Sequence, residues 1–162
     1  MRKSGFICFR FVFQNQLMPK IPSLCVIDDD VIYQFAVKLT IQQLDLAEQV
    51  LTFSNGELAM NYFIENSKDT SKLPDVLLLD INMPVMDGWD FLIWFSGYKK
   101  MLQKDIPIFM VSSSIDWRDI ERAKGFEEVI DYVSKPLTDG SFFEILEKLE
   151  EKTLRVNETG KI

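Results

Sequence analysis

From residue 23 onward, short apolar-rich runs alternate with longer segments whose apolar residues recur at helical spacing, and this alternation limits the chain to very few folds. The runs are Leu24-Cys25-Val26-Ile27, Gln49 to Phe53, Asp75-Val76-Leu77-Leu78-Leu79, Ile106 to Val111 and Val129 to Val133. Between and after them lie helical patterns over Val31 to about Leu46, Ser54 to about Asn66, Trp89 to about Leu102, Asp116 to about Lys124 and Asp139 to about Lys152. In the first, Ile32, Phe35, Ala36 and Leu39 fall at i, i+3, i+4 and i+7, the spacing of a core-facing stripe. Ser54-Asn55-Gly56-Glu57 has the Ser-x-x-Glu form of a capping box at the start of the second. Continuous rather than alternating apolar strands are covered on both faces, which is the signature of a parallel sheet with helices on either side. Crossovers in such sheets are right-handed, and ligands sit beyond the carboxyl ends of the strands, where the strand order switches.

The residues that follow each strand are therefore the ones that carry chemistry. Asp28, Asp29 and Asp30 follow the first, Asp80 the third, Ser112, Ser113 and Ser114 the fourth, and Lys135-Pro136 the fifth. Crowded carboxylates repel and hold their protons more tightly unless a cation neutralises them. Hard oxygen ligands suit Mg²⁺. A carboxylate can attack phosphorus to form an acyl phosphate, and a cation, an amine and a hydroxyl stabilise the charge on the transferring group. Asp30 reads better as a helix cap than as a ligand, and Asp87 as a turn residue.

Composition removes several competing chemistries. The chain has no histidine, so Ser-His-Asp and Cys-His catalysis and His-ligated zinc are excluded. A net charge of −7 argues against a nucleic-acid partner, whose phosphates are met by Lys and Arg. Cys25 sits within an apolar run and reads as a small buried hydrophobe, so no disulfide framework is expected and a reducing, cytoplasmic location follows. The length of 162 residues allows one core and little else. Residues 1–20 hold an apolar stretch, Phe6 to Phe13, that Arg10 interrupts and no small-x-small site follows. It fits neither a secretory signal nor a membrane span. These residues are read as a disordered leader or a misassigned extension ahead of Met18, with a core domain over 21–152 and a frayed tail over 153–162.

Four segments resemble the response-regulator receiver domain, most simply its single-domain chemotaxis and phosphorelay members. They are Val26-Ile27-Asp28-Asp29-Asp30, Leu79-Asp80 through Asp87-Gly88, Val111-Ser112-Ser113 and Tyr132-Val133-Ser134-Lys135-Pro136, in that order, and the likeness covers about Ile21 to Lys152. It implies a flavodoxin-like (βα)5 doubly wound α/β fold with a parallel sheet in the order 2-1-3-4-5. It implies Asp80 as phosphoacceptor and Mg²⁺ as cofactor. Asp29 and Asp80 would ligate the ion directly, Asp28 mainly through water, and Asn82 through its backbone carbonyl. Ser112 and Lys135 would contact the phosphoryl group, with Ser112 and Tyr132 moving as the switch. Pro136 would follow a cis peptide that aims Lys135 inward, and Gly88 would permit the backbone conformation needed before the third helix. Serine at 112 replaces the commoner threonine and keeps the hydroxyl. Asn82 and Ser114 occupy positions that influence phosphoryl lifetime in the family.

The implied function is a stand-alone switch, not an enzyme beyond catalysing its own phosphorylation and dephosphorylation. Its partners would be a histidine kinase or histidine phosphotransfer protein and an unidentified downstream protein, with no nucleic acid or membrane, and the chain a monomer or weak dimer. The output would leave from the face of the fourth helix, fifth strand and fifth helix. A haloacid-dehalogenase-type phosphohydrolase expects Asp where Asn82 stands. A receiver-like module that signals without phosphorylation expects a lost acidic or Lys position, and none is lost here.

Overall fold

The structure, a computed structural model, describes residues 20–114 and 116–159, with the side chains from 157 onward left aside. Five strands, β1 (Ile21–Ile27), β2 (Ala47–Phe53), β3 (Val76–Asp80), β4 (Ile108–Ser112) and β5 (Val129–Ser134), form one parallel sheet in the order β2-β1-β3-β4-β5. The helices are α1 (Val31–Gln43), α2 (Gly56–Glu65), α3 (Gly88–Tyr98), α4 (Trp117–Ala123) and α5 (Asp139–Thr159). A 3₁₀ turn over Lys99–Met101 completes the segment expected as a helix to Leu102. This is the flavodoxin-like arrangement, with its switch point between β1 and β3. No helix among the described residues is long and apolar enough to cross a membrane. Most of the leader, residues 1–19, and the last three residues lie outside the described residues. Lys20 is described and pairs with Asp45.

Side-chain alternation sends the central strands' residues to two separate cores. Cys25, Ile27, Leu77, Leu79, Ile108 and Met110 pack with Phe63 of α2, Phe91 and Phe95 of α3 and Ala123 of α4. Leu24, Val26, Leu78, Phe109 and Val111 pack with Val37 and Ile41 of α1 and Phe142, Ile145 and Leu146 of α5. Every residue of β3 and β4 is buried, which accounts for the apolar runs Val76–Leu79 and Ile108–Val111 that precede Asp80 and Ser112.

Three local expectations are corrected. The stripe Ile32, Phe35, Ala36 and Leu39 does not face the core: Ile32 is 81% and Phe35 62% exposed, and Val37 and Ile41 are the residues buried in α1. The helix carries apolar residues on nearly every side, so periodicity identifies a helix without selecting its face. Gln34 selects it, donating through Nε2 to the carbonyls of Asp28 and Phe53 and thereby pinning the helix rotation to the ends of β1 and β2. At α2 the cap is Asn55, whose Oδ1 accepts from the Leu58 N–H at 2.9 Å, one residue later than the Ser54 capping box. The tail from Thr153 is not frayed, because α5 continues to Thr159. Within it the Thr153 hydroxyl donates back to the Leu149 carbonyl at 2.9 Å.

Candidate functional site

The register of the sheet gathers the strand-end residues. β1 and β3 are adjacent, so Asp28, one residue beyond β1, faces Asp80 at the end of β3. Carboxylate oxygens of Asp28, Asp29 and Asp80 lie within 4.8 Å of one another. Asp28 is 1% and Asp80 5% exposed, whereas Asp29 is open to solvent. Asp30 turns away and caps α1, its Oδ1 accepting from the N–H groups of Ile32 and Tyr33 at 2.9 and 3.0 Å. Asp87 likewise caps α3 by accepting from the Asp90 N–H at 2.8 Å.

Lys135, one residue beyond β5, reaches across the pocket. Its Nζ is 2.6 Å from Asp28 Oδ2 and 3.2 Å from Asp80 Oδ1. The Lys135–Pro136 peptide bond is cis, and the Lys135 N–H donates to the Ser112 carbonyl at 2.8 Å. Asp80 Oδ1 also accepts from the Ile81 N–H at 2.9 Å. Its Oδ2 makes no hydrogen bond among the described residues. Burial pushes the Asp80 carboxyl above the ordinary carboxylate range; Lys135 opposes that shift and the charge of Asp28 adds to it.

Ser112 ends β4 beside this pocket and is buried, its Oγ accepting from the Ser114 N–H at 3.3 Å. Tyr132 packs against the core, and its hydroxyl donates to the Ser114 carbonyl at 2.8 Å. The Lys135 amine thus bridges Asp28 and Asp80, with Asp29 beside them and Ser112 buried at the end of the neighbouring strand. Asn82 is exposed on the loop after β3. Gly88 is constrained by space and not by conformation, since no described glycine has a positive φ. A Cβ there would stand 2.2 Å from the Asp80 carbonyl oxygen.

Two further residues shape the site and were not singled out by any motif or spacing in the sequence. Tyr33 lays its ring 4.4 Å from the Lys135 ammonium, and Gln34 holds the Asp28 carbonyl. Val85, in the loop after β3, has φ 71° and sits at the centre of a γ-turn in which the Met86 N–H donates to the Pro84 carbonyl at 2.9 Å. That is a strained conformation for a β-branched residue.

The sequence matches the response regulator receiver domain family over residues 24–147. The chain belongs to that family. It aligns at 32% identity over 114 residues with a protein-glutamate methylesterase/protein-glutamine glutaminase of Methanococcoides burtonii, covering 68% of this chain and 29% of that protein. It aligns at 36% identity over 74 residues with the sensor histidine kinase CheAY of Helicobacter pylori, covering 45% of this chain and 9% of that protein. The chain thus spans under a third of either relative. Among solved structures, a two component response regulator from Cytophaga hutchinsonii is 30% identical, with a TM-score of 0.75 over 82% of this chain and 99% of that one. Receiver domains act in two-component signalling; phosphoryl acceptance is their general function, and they bind Mg²⁺ at an acidic pocket.

Proposed function

We propose that the chain is a stand-alone receiver that takes a phosphoryl group from phosphohistidine onto Asp80. The observation that carries this reading is the pair of buried carboxylates, Asp28 and Asp80, sharing the Lys135 ammonium at the sheet's switch point. Because Asp80 Oδ1 is engaged by Lys135 and the Ile81 N–H, Oδ2 is the attacking oxygen. It bonds to phosphorus as the P–N bond breaks, and the electron pair of that bond stays on the donor imidazole. Lys135 then turns to the phosphoryl oxygens, and the Ser112 hydroxyl approaches them from the end of β4.

The donor set fits a hard divalent cation. Oxygen atoms of three carboxylates converge, two of them buried and balanced by a single Lys. Asp29 and Asp80 would hold Mg²⁺ directly, Asp28 mainly through water and Asn82 through its carbonyl. When bound, the ion supplies positive charge that offsets the carboxylates and the phosphoryl oxygens.

A phosphohistidine donor, on a histidine kinase or a histidine phosphotransfer protein, has to rest on the rim around Asp80. Ile32 and Phe35 on α1, which follows β1, and Val85 in the loop after β3 are exposed apolar residues on segments that leave the carboxyl ends of those strands, which supports contact with the apolar face of a protein partner. Approach of Ser112 toward the phosphoryl group would draw on the Ser114 backbone that holds Tyr132, shifting a two-state equilibrium of the α4–β5–α5 face toward a downstream protein. In this reading residues 21–152 are the working unit. It acts in the cytoplasm, a reducing compartment in keeping with the free, buried Cys25.

The test is the intact mass after incubation with acetyl phosphate, with and without Mg²⁺, for the wild type and Asp80→Asn. A labile single phosphoryl adduct that requires both Mg²⁺ and Asp80 is expected. No adduct on folded wild type with Mg²⁺ present would overturn the reading and leave a module that signals without phosphorylation.

A further inference from the structure

We infer that the ring of Tyr33 is a positioning element for Lys135, a π-face seat that holds the ammonium in the pocket while leaving its N–H groups to the carboxylates and the phosphoryl group. The inference rests on the assignment of Lys135 to phosphoryl transfer.

A lysine ammonium is a compact, strongly hydrated charge on a flexible stem, and withdrawing it from water calls for compensation on every side. Lys135 has a side chain only 16% exposed. Two of its sides are met by Asp28 Oδ2 at 2.6 Å and Asp80 Oδ1 at 3.2 Å. A third is met by the Tyr33 ring at 4.4 Å from its centroid, within the range of a cation–π contact. A carboxylate or carbonyl on that side would bind an N–H group directionally and compete with the phosphoryl oxygens. The ring face offers diffuse negative potential instead, so the ammonium can turn from one oxygen partner to another while its charge stays compensated.

The placement of the ring follows from local structure. Tyr33 lies in the first turn of α1, where its N–H donates to the capping Asp30 carboxylate, and Gln34 pins the same turn to the ends of β1 and β2. The third aspartate of the Asp28-Asp29-Asp30 run therefore contributes indirectly, by setting the helix that aims the ring. The hydroxyl is buried beside the Leu137 backbone and makes no hydrogen bond to Lys135 or to the carboxylates, so the contact with the ammonium is made by the ring.

The test uses the full chain with Tyr33→Phe, Tyr33→Leu, and pentafluorophenylalanine introduced at position 33, which keeps the ring's shape and reverses its quadrupole. The first readout is the ring-current shift of the Lys135 ε-protons in Mg²⁺-free protein. They should be upfield in the wild type and Tyr33→Phe and return to ordinary values in Tyr33→Leu. The second is phosphorylation by acetyl phosphate at saturating Mg²⁺. The maximal rate should fall about tenfold in Tyr33→Leu and in the fluorinated variant, the size of a partly desolvated cation–π contact, with the half-saturating acetyl phosphate concentration unchanged. Tyr33→Phe should keep the wild-type rate. An unshifted Lys135 in the wild type, an undiminished rate in the fluorinated variant, or a rate in Tyr33→Phe as low as in Tyr33→Leu would each overturn the assignment. If the wild type accepts no phosphoryl group, the phosphoacceptor reading fails by itself and the Lys135 shift alone decides the seat. If Tyr33→Leu fails to fold, the fluorinated variant decides the rate.

Discussion

Gly88→Ala and Gly97→Ala place the same methyl group in the same helix and should move stability in opposite directions. At Gly88, the first residue of α3, a Cβ would stand 2.2 Å from the Asp80 carbonyl oxygen, 2.9 Å from Ile81 Cα and 3.0 Å from the Asp80 carbonyl carbon. All three atoms are backbone, so no flexible side chain can yield, and the end of β3 must part from the start of α3. The hydrogen bond from the Gly88 N–H to the Ile81 carbonyl, 2.9 Å, ties the same two segments and resists that movement. Overpacking of this kind costs about 1–3 kcal/mol, and rigid backbone puts this case at the upper end. Alanine recovers about 0.5–1 kcal/mol of unfolded-state entropy, leaving a net loss of about 2 kcal/mol. For a chain of 162 residues that is a fall in Tm of about 4–8 °C. A Cβ at Gly97 meets nothing within 4 Å. There the entropy and propensity gain stands alone, and Gly97→Ala should stabilise by about 0.5–1 kcal/mol. Urea denaturation of the three proteins, at unchanged m, reads both values. A Gly88→Ala midpoint equal to or above the wild type would refute the close approach of α3 to the end of β3.

Two further outcomes test the electrostatics of the pocket and the orientation of α1. The Asp80 carboxyl is held above its ordinary value of 3.8 mainly by burial, so the folded chain binds that proton more tightly than the unfolded chain and loses stability as pH rises through the raised value. Asp80→Asn in metal-free buffer should therefore be more stable than the wild type at pH 7, with the gap closing as pH falls toward 3.8; a less stable variant at pH 7 would mean that the Lys135 ion pair outweighs burial. On α1, Phe35→Gln should change stability by no more than about 0.5 kcal/mol and Ile41→Ala should cost about 3 kcal/mol, since Phe35 is exposed and Ile41 fully buried. Chemical denaturation that ranked them in the reverse order would return the outer stripe to the core.

The βα alternation, the parallel sheet and the strand-end positions of Asp28, Asp29, Asp80, Ser112 and Lys135 were legible in the chain itself. A strand buried on both faces is mostly apolar, so a carboxylate, hydroxyl or amine at its carboxyl end stands out as a residue that core packing does not explain. Asp30 was legible as a cap because capping is a bond between near neighbours in sequence, whereas Asp87, read as a turn residue, caps α3. Periodicity was silent on the rotation of α1, because a helix apolar on nearly every side satisfies several stripes equally and Gln34 settles it through carbonyls at the ends of two strands. Gly88 drew attention as a loop glycine, but its reason, a backbone atom 2.2 Å from where a methyl would stand, exists only once β3 and α3 are docked. The Tyr33 ring over Lys135 is likewise invisible in either neighbourhood. Local sequence determines which segments become strands and which become helices. Contacts between residues far apart along the chain depend on how the segments rotate and close on one another, and only the packed structure decides that.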